Sequence, residues 1–267
     1  MRLRQLITAT WSLMTTPLFV KAPQRGKRDS ADVPCIAPVN HDALTAIIAT
    51  AKHHDGTLDY RAIDRRVLST YVAQMCMHNP DIFATDAERL AYWINLYNAL
   101  VIDQIIRHDY PDSVQVVDGF FTTPLVVVAG ESLSLDGIEH GKVRRFADPR
   151  IHAALVCGAQ GCPIVATYTP DSLDTALESA LRTFLADPTR GVAYDEHEDV
   201  VLITPILRWF AGDFAGPMAY ISIQRLTPVV TPFLSDAGQL AWHTGRIRVR
   251  EYDWRLNQYA PDDADNP

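Results

Sequence analysis

The sequence is short of basic charge, of long apolar runs, of linker composition and of cysteine, and each shortage excludes something. Lys and Arg number 24 against 32 Asp and Glu, for a formal charge of −8 and a pI near 5.5. A general nucleic-acid binder normally carries a basic footprint, so that class is set aside. No run reaches the roughly 20 mostly apolar residues that a membrane-spanning helix needs, so no integral membrane segment is expected. No Gly/Ser- or Pro-rich linker divides the chain, and it holds no internal repeat, P-loop or dinucleotide fingerprint. With 48% hydrophobic residues over 267 positions, the chain can bury a substantial core as a single domain. Only 4 cysteines occur. In an exported protein they could pair, and in the cytosol they stay reduced.

The amino-terminal stretch leaves that compartment open. Arg2 and Arg4 precede a moderately apolar run from Leu6 to Val20, and Val20-Lys21-Ala22 fits a small-x-small cleavage pattern. Against export, Thr8, Thr10, Ser12, Thr15 and Thr16 dilute the run and Pro17 interrupts it. An exported, periplasmic protein cut before Pro23 and a cytoplasmic protein are both compatible with this. The expected organisation is a lead-in over residues 1–37, one domain over 38–257 and a disordered tail over 258–267.

Periodicity places the elements. Asn40 can cap a helix carrying Leu44, Ile47, Ile48 and Ala51, and Asp59 a second one running to Asn79-Pro80. Thr85 and Glu88 form a capping-box pair for a third helix, Asp86 to about His108, which is apolar almost all round and therefore expected to be buried. Residues 125–128 and 132–135 read as a β-hairpin, followed by a helix over 136–146 and a strand over Ile151 to Cys157. A helix from about Ser172 ends at Asp187-Pro188, and 192–194 pairs with 200–203 around an acidic turn. Helical pieces follow over 207–214 and 220–234, and 246–252 closes the chain as a strand. Helices early and hairpins late, without βαβ alternation, predict an α+β domain whose helical amino-terminal half packs on a small antiparallel sheet.

The chemistry-bearing groups gather between Ser134 and Pro163. Glu139 and His140 are adjacent in LDGIEHGKVR, and DPRIHAALVCGAQGCP brings His152, Cys157 and Cys162 to a small-residue loop. Three further strings stand in order: YWINLYNAL with Asn95 and Asn98, ILRWFAGDF, and YDWRLN with Asp253. Taken together these motifs resemble the domain-of-unknown-function family 547, over roughly Asn40 to Asn257. The resemblance implies no activity, because the family is named for having none assigned. Phe210 stands where such members usually carry Tyr, and Gly161 where Ser is more usual.

Four readings of the loop compete. A thiol hydrolase or transferase acting on an amide, ester or thioester would use Cys157, or Cys162, as nucleophile. His140 would be its base with His152 in reserve, and Glu139, Asn95 or Asp253 would orient the ring. Backbone N–H groups of Gly158 to Gly161 would form its oxyanion hole. A regular strand would point His152 and Cys157 to opposite faces, which favours His140. In the second reading the two cysteines are a disulfide or redox pair. In the third, His140, His152, Cys157 and Cys162 bind zinc, although CxxxxC is wider than most zinc knuckles. In the fourth the domain is a non-catalytic scaffold or interaction module. No cofactor is called for, and the substrate, whether small molecule or peptide, and the oligomeric state stay open. Asn95 and Asn98 lie three residues apart on one helix face and need buried partners, backbone clamps being the simplest. Lys142, Arg144, Arg145 and Arg150 form a basic cluster that would either attract an acidic substrate or face solvent as a charged helix surface.

Overall fold

The computed structural model describes residues 39–260. Helix α1 is Asp42–Ala51, with the Asn40 side chain accepting from the Asp42 N–H. Asp59 does not cap the second long helix. It caps a 3₁₀ turn, Tyr60–Ala62, and Asp64 takes over as cap of α2, Arg65–Cys76. The Thr85–Glu88 capping box forms as expected at the start of α3, Asp86–Arg107. Every residue of α3 from Leu90 to Ile105 is buried. That helix is the axis of the molecule: α2 and the 3₁₀ turns Tyr60–Ala62, Pro80–Ile82, Val143–Phe146 and Pro170–Ser172 pack around it, as does α4, Leu135–Gly141.

Strands β1, Val126–Val128, and β2, Glu131–Leu133, pair antiparallel as a hairpin. Helix α5, Leu173–Ala186, lies over the 3₁₀ turn Pro149–Ala153. Strands β3, Ala193–Asp195, and β4, Val200–Ile203, pair antiparallel. Short helices α6, Pro205–Trp209, α7, Ala211–Ala215, and α8, Thr227–Val230, lead to α9, Asp236–His243. Strand β5, Ile247–Val249, then returns to β4. The fold is α+β, predominantly helical, with two small sheets.

Several local expectations change. Strand β5 runs parallel to β4, so the second sheet is mixed rather than antiparallel. Helix α3 is covered chiefly by helices and turns, and the sheets lie to its flanks. Helix α9 carries no clear periodic signal in the sequence, where Gly238 interrupts its pattern. The glycine is there for contact, since a Cβ at 238 would stand 3.0 Å from the Tyr194 Cβ. Ordered backbone also continues past Asn257: the Tyr259 N–H donates to Leu58 O, and its ring stacks on His53 at 3.5 Å. The amino-terminal signal reading and the end of the expected tail lie outside the described residues. Among the described residues no helix is long and apolar enough to cross a membrane.

The buried side chains form two clusters. One surrounds α3 and includes Cys162, and the other holds β4, α9 and the short helices, with Trp242 at its centre. Tyr252 packs against both.

Candidate functional site

The loop carrying the thiols is made by side chains, turns and one glycine rather than by a strand. Asp148 caps the turn Pro149–Ala153 by accepting from the Arg150 N–H, so the expected strand over 151–157 begins instead as a 3₁₀ helix. From Ala154 the chain extends, but its partner is an amide. Asn98 donates to Ala154 O at 2.9 Å and accepts from the Val156 N–H at 3.0 Å. Asn95, one turn earlier on α3, holds Tyr168 the same way at 2.6 and 3.0 Å. The two buried amides therefore grip the chain on either side of the cysteines. Neither side chain is left over to orient an imidazole.

Gly158 has φ +83°, a conformation open mainly to glycine, and a Cβ there would stand 2.5 Å from Ile105. The chain then turns, with the Cys162 N–H donating to Ala159 O at 3.1 Å. Across this turn lies the YDWRLN segment. Gln160 N–H donates to Arg255 O, Gly161 N–H to Asp253 O, and Asn257 N–H to Gly158 O. Two of the four N–H groups of the expected oxyanion hole, those of Gln160 and Gly161, are thus taken by the protein's own carbonyls. A Cβ at Gly161 would meet the Tyr252 ring at 3.0 Å, so the glycine lets the ring pack closely against the loop.

The result is a close pair of free thiols, with the Cys157 and Cys162 sulfurs 2.7 Å apart. Cys162 also accepts from the Cys157 N–H at 2.9 Å and from the Tyr252 hydroxyl at 3.1 Å, and that hydroxyl is 3.3 Å from Cys157. Burial pushes the Cys162 thiol up. The Cys157 thiol, the Tyr252 hydroxyl and the N–H groups of Cys157 and Ala159 outweigh it and bring the group down to about 7. Cys157 moves the other way, because it donates to Cys162 and is itself desolvated. Cys162 is therefore the sulfur of the pair favoured to lose its proton first. Cys162 is buried and Cys157 half-buried.

The histidines belong to a separate network. His152 Nε2 is 2.8 Å from Asp213, Arg144 grips the same carboxylate through two bonds of 2.7 and 2.8 Å, and His140 Nδ1 is 3.2 Å from Arg144. Phe210 stacks on the His152 ring at 3.8 Å. Burial, then Arg144, lowers His140 to about 4, and burial lowers His152 against the pull of Asp213. Among the described residues neither imidazole bonds to a thiol. Between the two networks sit Tyr97 and Glu139, the Tyr97 hydroxyl 3.5 Å from the carboxylate. Burial and Asp136 raise Glu139 to about 7.

The remaining expected residues have structural partners. Arg150 is paired with Asp148 at 2.7 Å and Asp174 at 2.8 Å. Lys142 pairs with Glu131, and Arg145 is exposed. Asp253 caps the Arg255 N–H at 3.1 Å and lines a cleft of about 470 Å³ with Gly161, Tyr252 and Arg250. No group of three or more His, Cys, Asp or Glu among the described residues is arranged to hold a metal ion, so the zinc reading has no ligand set. Tyr252 and Asp213 were the residues missed, although both lie inside quoted motifs. A phenol next to an expected turn and a carboxylate after two aromatics carry no mark of their partners, which are 90 and 61 residues away.

Residues 83–185 match the family model described as "Protein of unknown function, DUF547". The DUF547 match contains both cysteines, both histidines and the two clamping asparagines, whereas Asp213 and Tyr252 come from beyond it. Neither a curated protein nor a solved structure matches the chain.

Proposed function

We propose that Cys157 and Cys162 form a reactive dithiol that exchanges with disulfides. The observation that carries this reading is the 2.7 Å approach of two free sulfurs, one of them cradled by hydrogen-bond donors. The thiolate is the species that attacks a disulfide, and a pair that sheds its first proton below the ordinary thiol range supplies one to whichever sulfur the proton leaves.

The half-buried Cys157 meets the incoming disulfide first. Its proton passes to Cys162, and the Cys157 thiolate attacks one sulfur of the partner. A mixed disulfide forms, the partner's S–S bond breaks, and the departing thiolate takes the proton from Cys162. Cys162, again a thiolate, attacks the Cys157 sulfur and expels the second partner thiolate, which is protonated by solvent. The protein dithiol is oxidised and the partner disulfide reduced by the same two electrons. A more oxidising partner drives this direction and a more reducing one the reverse.

An acyl-transferring thiol acting on an amide, ester or thioester is the other enzymatic reading. It lacks an imidazole against the sulfur, and two of its four loop N–H donors, Gln160 and Gly161, are engaged with carbonyls. The two separate experimentally in a chain carrying Cys35→Ser and Cys76→Ser. With oxidised glutathione, the parent should become bridged and retain no glutathione. Cys162→Ser should stop at a glutathione adduct on Cys157, identified by peptide mass. A folded Cys162→Ser chain that forms no adduct, or an acyl group found on Cys157 after incubation with a thioester, would overturn the dithiol reading.

A further inference from the structure

Tyr252 reaches the thiols from a piece of chain that is tied down at both ends and loosely in the middle. Before it, the Arg250 N–H donates to Ile203 O at 2.9 Å. After it, the N–H groups of Leu256, Asn257 and Tyr259 donate to the carbonyls of Asp112, Gly158 and Leu58 at 2.8, 2.7 and 2.9 Å. Between these anchors, among the described residues, the backbone of 251–253 has one bond to the rest of the fold: Asp253 O accepts from the Gly161 N–H at 2.9 Å. The Tyr252 ring packs on Trp209 at 4.9 Å and on Trp254 at 4.6 Å. Its hydroxyl bonds to the two sulfurs and, among the described residues, to nothing else.

Those two partners change with the oxidation state of the pair. An ionised sulfur accepts a charge-assisted hydrogen bond, whereas a neutral sulfur in a disulfide accepts only weakly. When oxidised glutathione bridges the pair, the Cys157–Cys162 bond forms as the glutathione S–S bond breaks. Both electrons and both thiol protons leave with two molecules of glutathione. The desolvated Tyr252 phenol is then left between two poor acceptors, which is costly for a buried hydroxyl. Packing of the ring on Trp209 needs no sulfur, so oxidation acts on the segment through the hydroxyl. We infer that Tyr252 is a redox latch: its hydroxyl holds residues 251–253 against the thiol loop while the sulfurs are reduced, and lets them go once the sulfurs are bridged. Release frees the Gly161 N–H and loosens the wall of the cleft that Gly161, Tyr252 and Asp253 share. The loop is thereby least covered when it carries the bridge that a reducing partner has to reach. The latch rests on the dithiol reading and adds regulation to it.

The test is amide hydrogen exchange at Gly161, read by NMR in the full chain carrying Cys35→Ser and Cys76→Ser, first reduced and then bridged with oxidised glutathione. Exchange should be roughly ten-fold faster in the bridged chain, the weight of one lost hydrogen bond, while the Leu256 and Tyr259 amides keep their rates. Tyr252→Phe keeps the ring and lacks the hydroxyl. Its Gly161 amide should exchange at the faster rate when reduced and change no further on bridging. Two results would overturn the latch alone: a chain shown by intact mass to be bridged whose Gly161 amide keeps its reduced rate, or a Tyr252→Phe chain with the parent's full redox difference. A chain that forms no bridge overturns the dithiol reading and the latch with it.

Discussion

Tyr252 shows how one group sets the chemistry of two others. Its hydroxyl lies 3.1 Å from Cys162 and 3.3 Å from Cys157, and donation to sulfur favours the charged form. Tyr252→Phe should therefore raise the pH at which the pair loses its first proton, from about 7 in the parent toward ordinary thiol values. The midpoint of iodoacetamide labelling against pH reads this directly, and an unmoved midpoint would mean that the hydroxyl does not stabilise the thiolate. Glu139 gives the opposite sign of coupling. Its pKa rises from 4.5 to about 7, burial being the larger cause and Asp136 the next. A carboxyl raised in the folded state contributes stability that is fully present below the unfolded value and lost as pH climbs through the folded one. The melting temperature of Glu139→Gln relative to the parent should therefore increase between pH 4.5 and about 7. A constant difference across that window would show that Glu139 is not held protonated.

At the scale of elements, α3 does more than fill the core. Asn95 and Asn98 stand three residues apart on it and replace the ladder that a neighbouring strand would provide. Asn98→Ala leaves a buried carbonyl and a buried N–H without partners, at about 1–3 kcal/mol for each such group. Chemical denaturation should register a loss of several kcal/mol in total, and a loss below about 1 kcal/mol would mean that the loop is held by other contacts. This clamp also explains what was legible in the sequence. The long apolar helix, its capping box and both hairpins follow from local rules, and all are present. The apolar run from Ile151 to Cys157 obeys the same rules, yet it is not a strand, because Ala154 and Val156 bond to one side chain, Asn98, 56 and 58 residues away. The cysteine loop stood out as chemistry because thiols and glycine are local signals. The separation of the histidines from it rests on Arg144 and Asp213, a pairing over 69 residues that no spacing reveals.

At the scale of the whole molecule, the thiols sit where the two core clusters meet. Cys162 belongs to one, and Tyr252, which reaches both, arrives from beyond the DUF547 match. The segment that delivers Tyr252 also binds the Gln160 and Gly161 N–H groups through Arg255 and Asp253, so this carboxyl-terminal segment and the family-like core form one device. On the proposed reading, the device is a dithiol built to be oxidised as a pair. The most direct measurement is equilibration of the Cys35→Ser, Cys76→Ser chain in glutathione buffers of graded oxidised-to-reduced ratio, with the bridged fraction read by intact mass after acid quenching. A single two-electron transition between free dithiol and internal Cys157–Cys162 disulfide, without accumulated glutathione adduct, is the predicted result. A chain that keeps both thiols free across the whole series, while remaining folded, would contradict it.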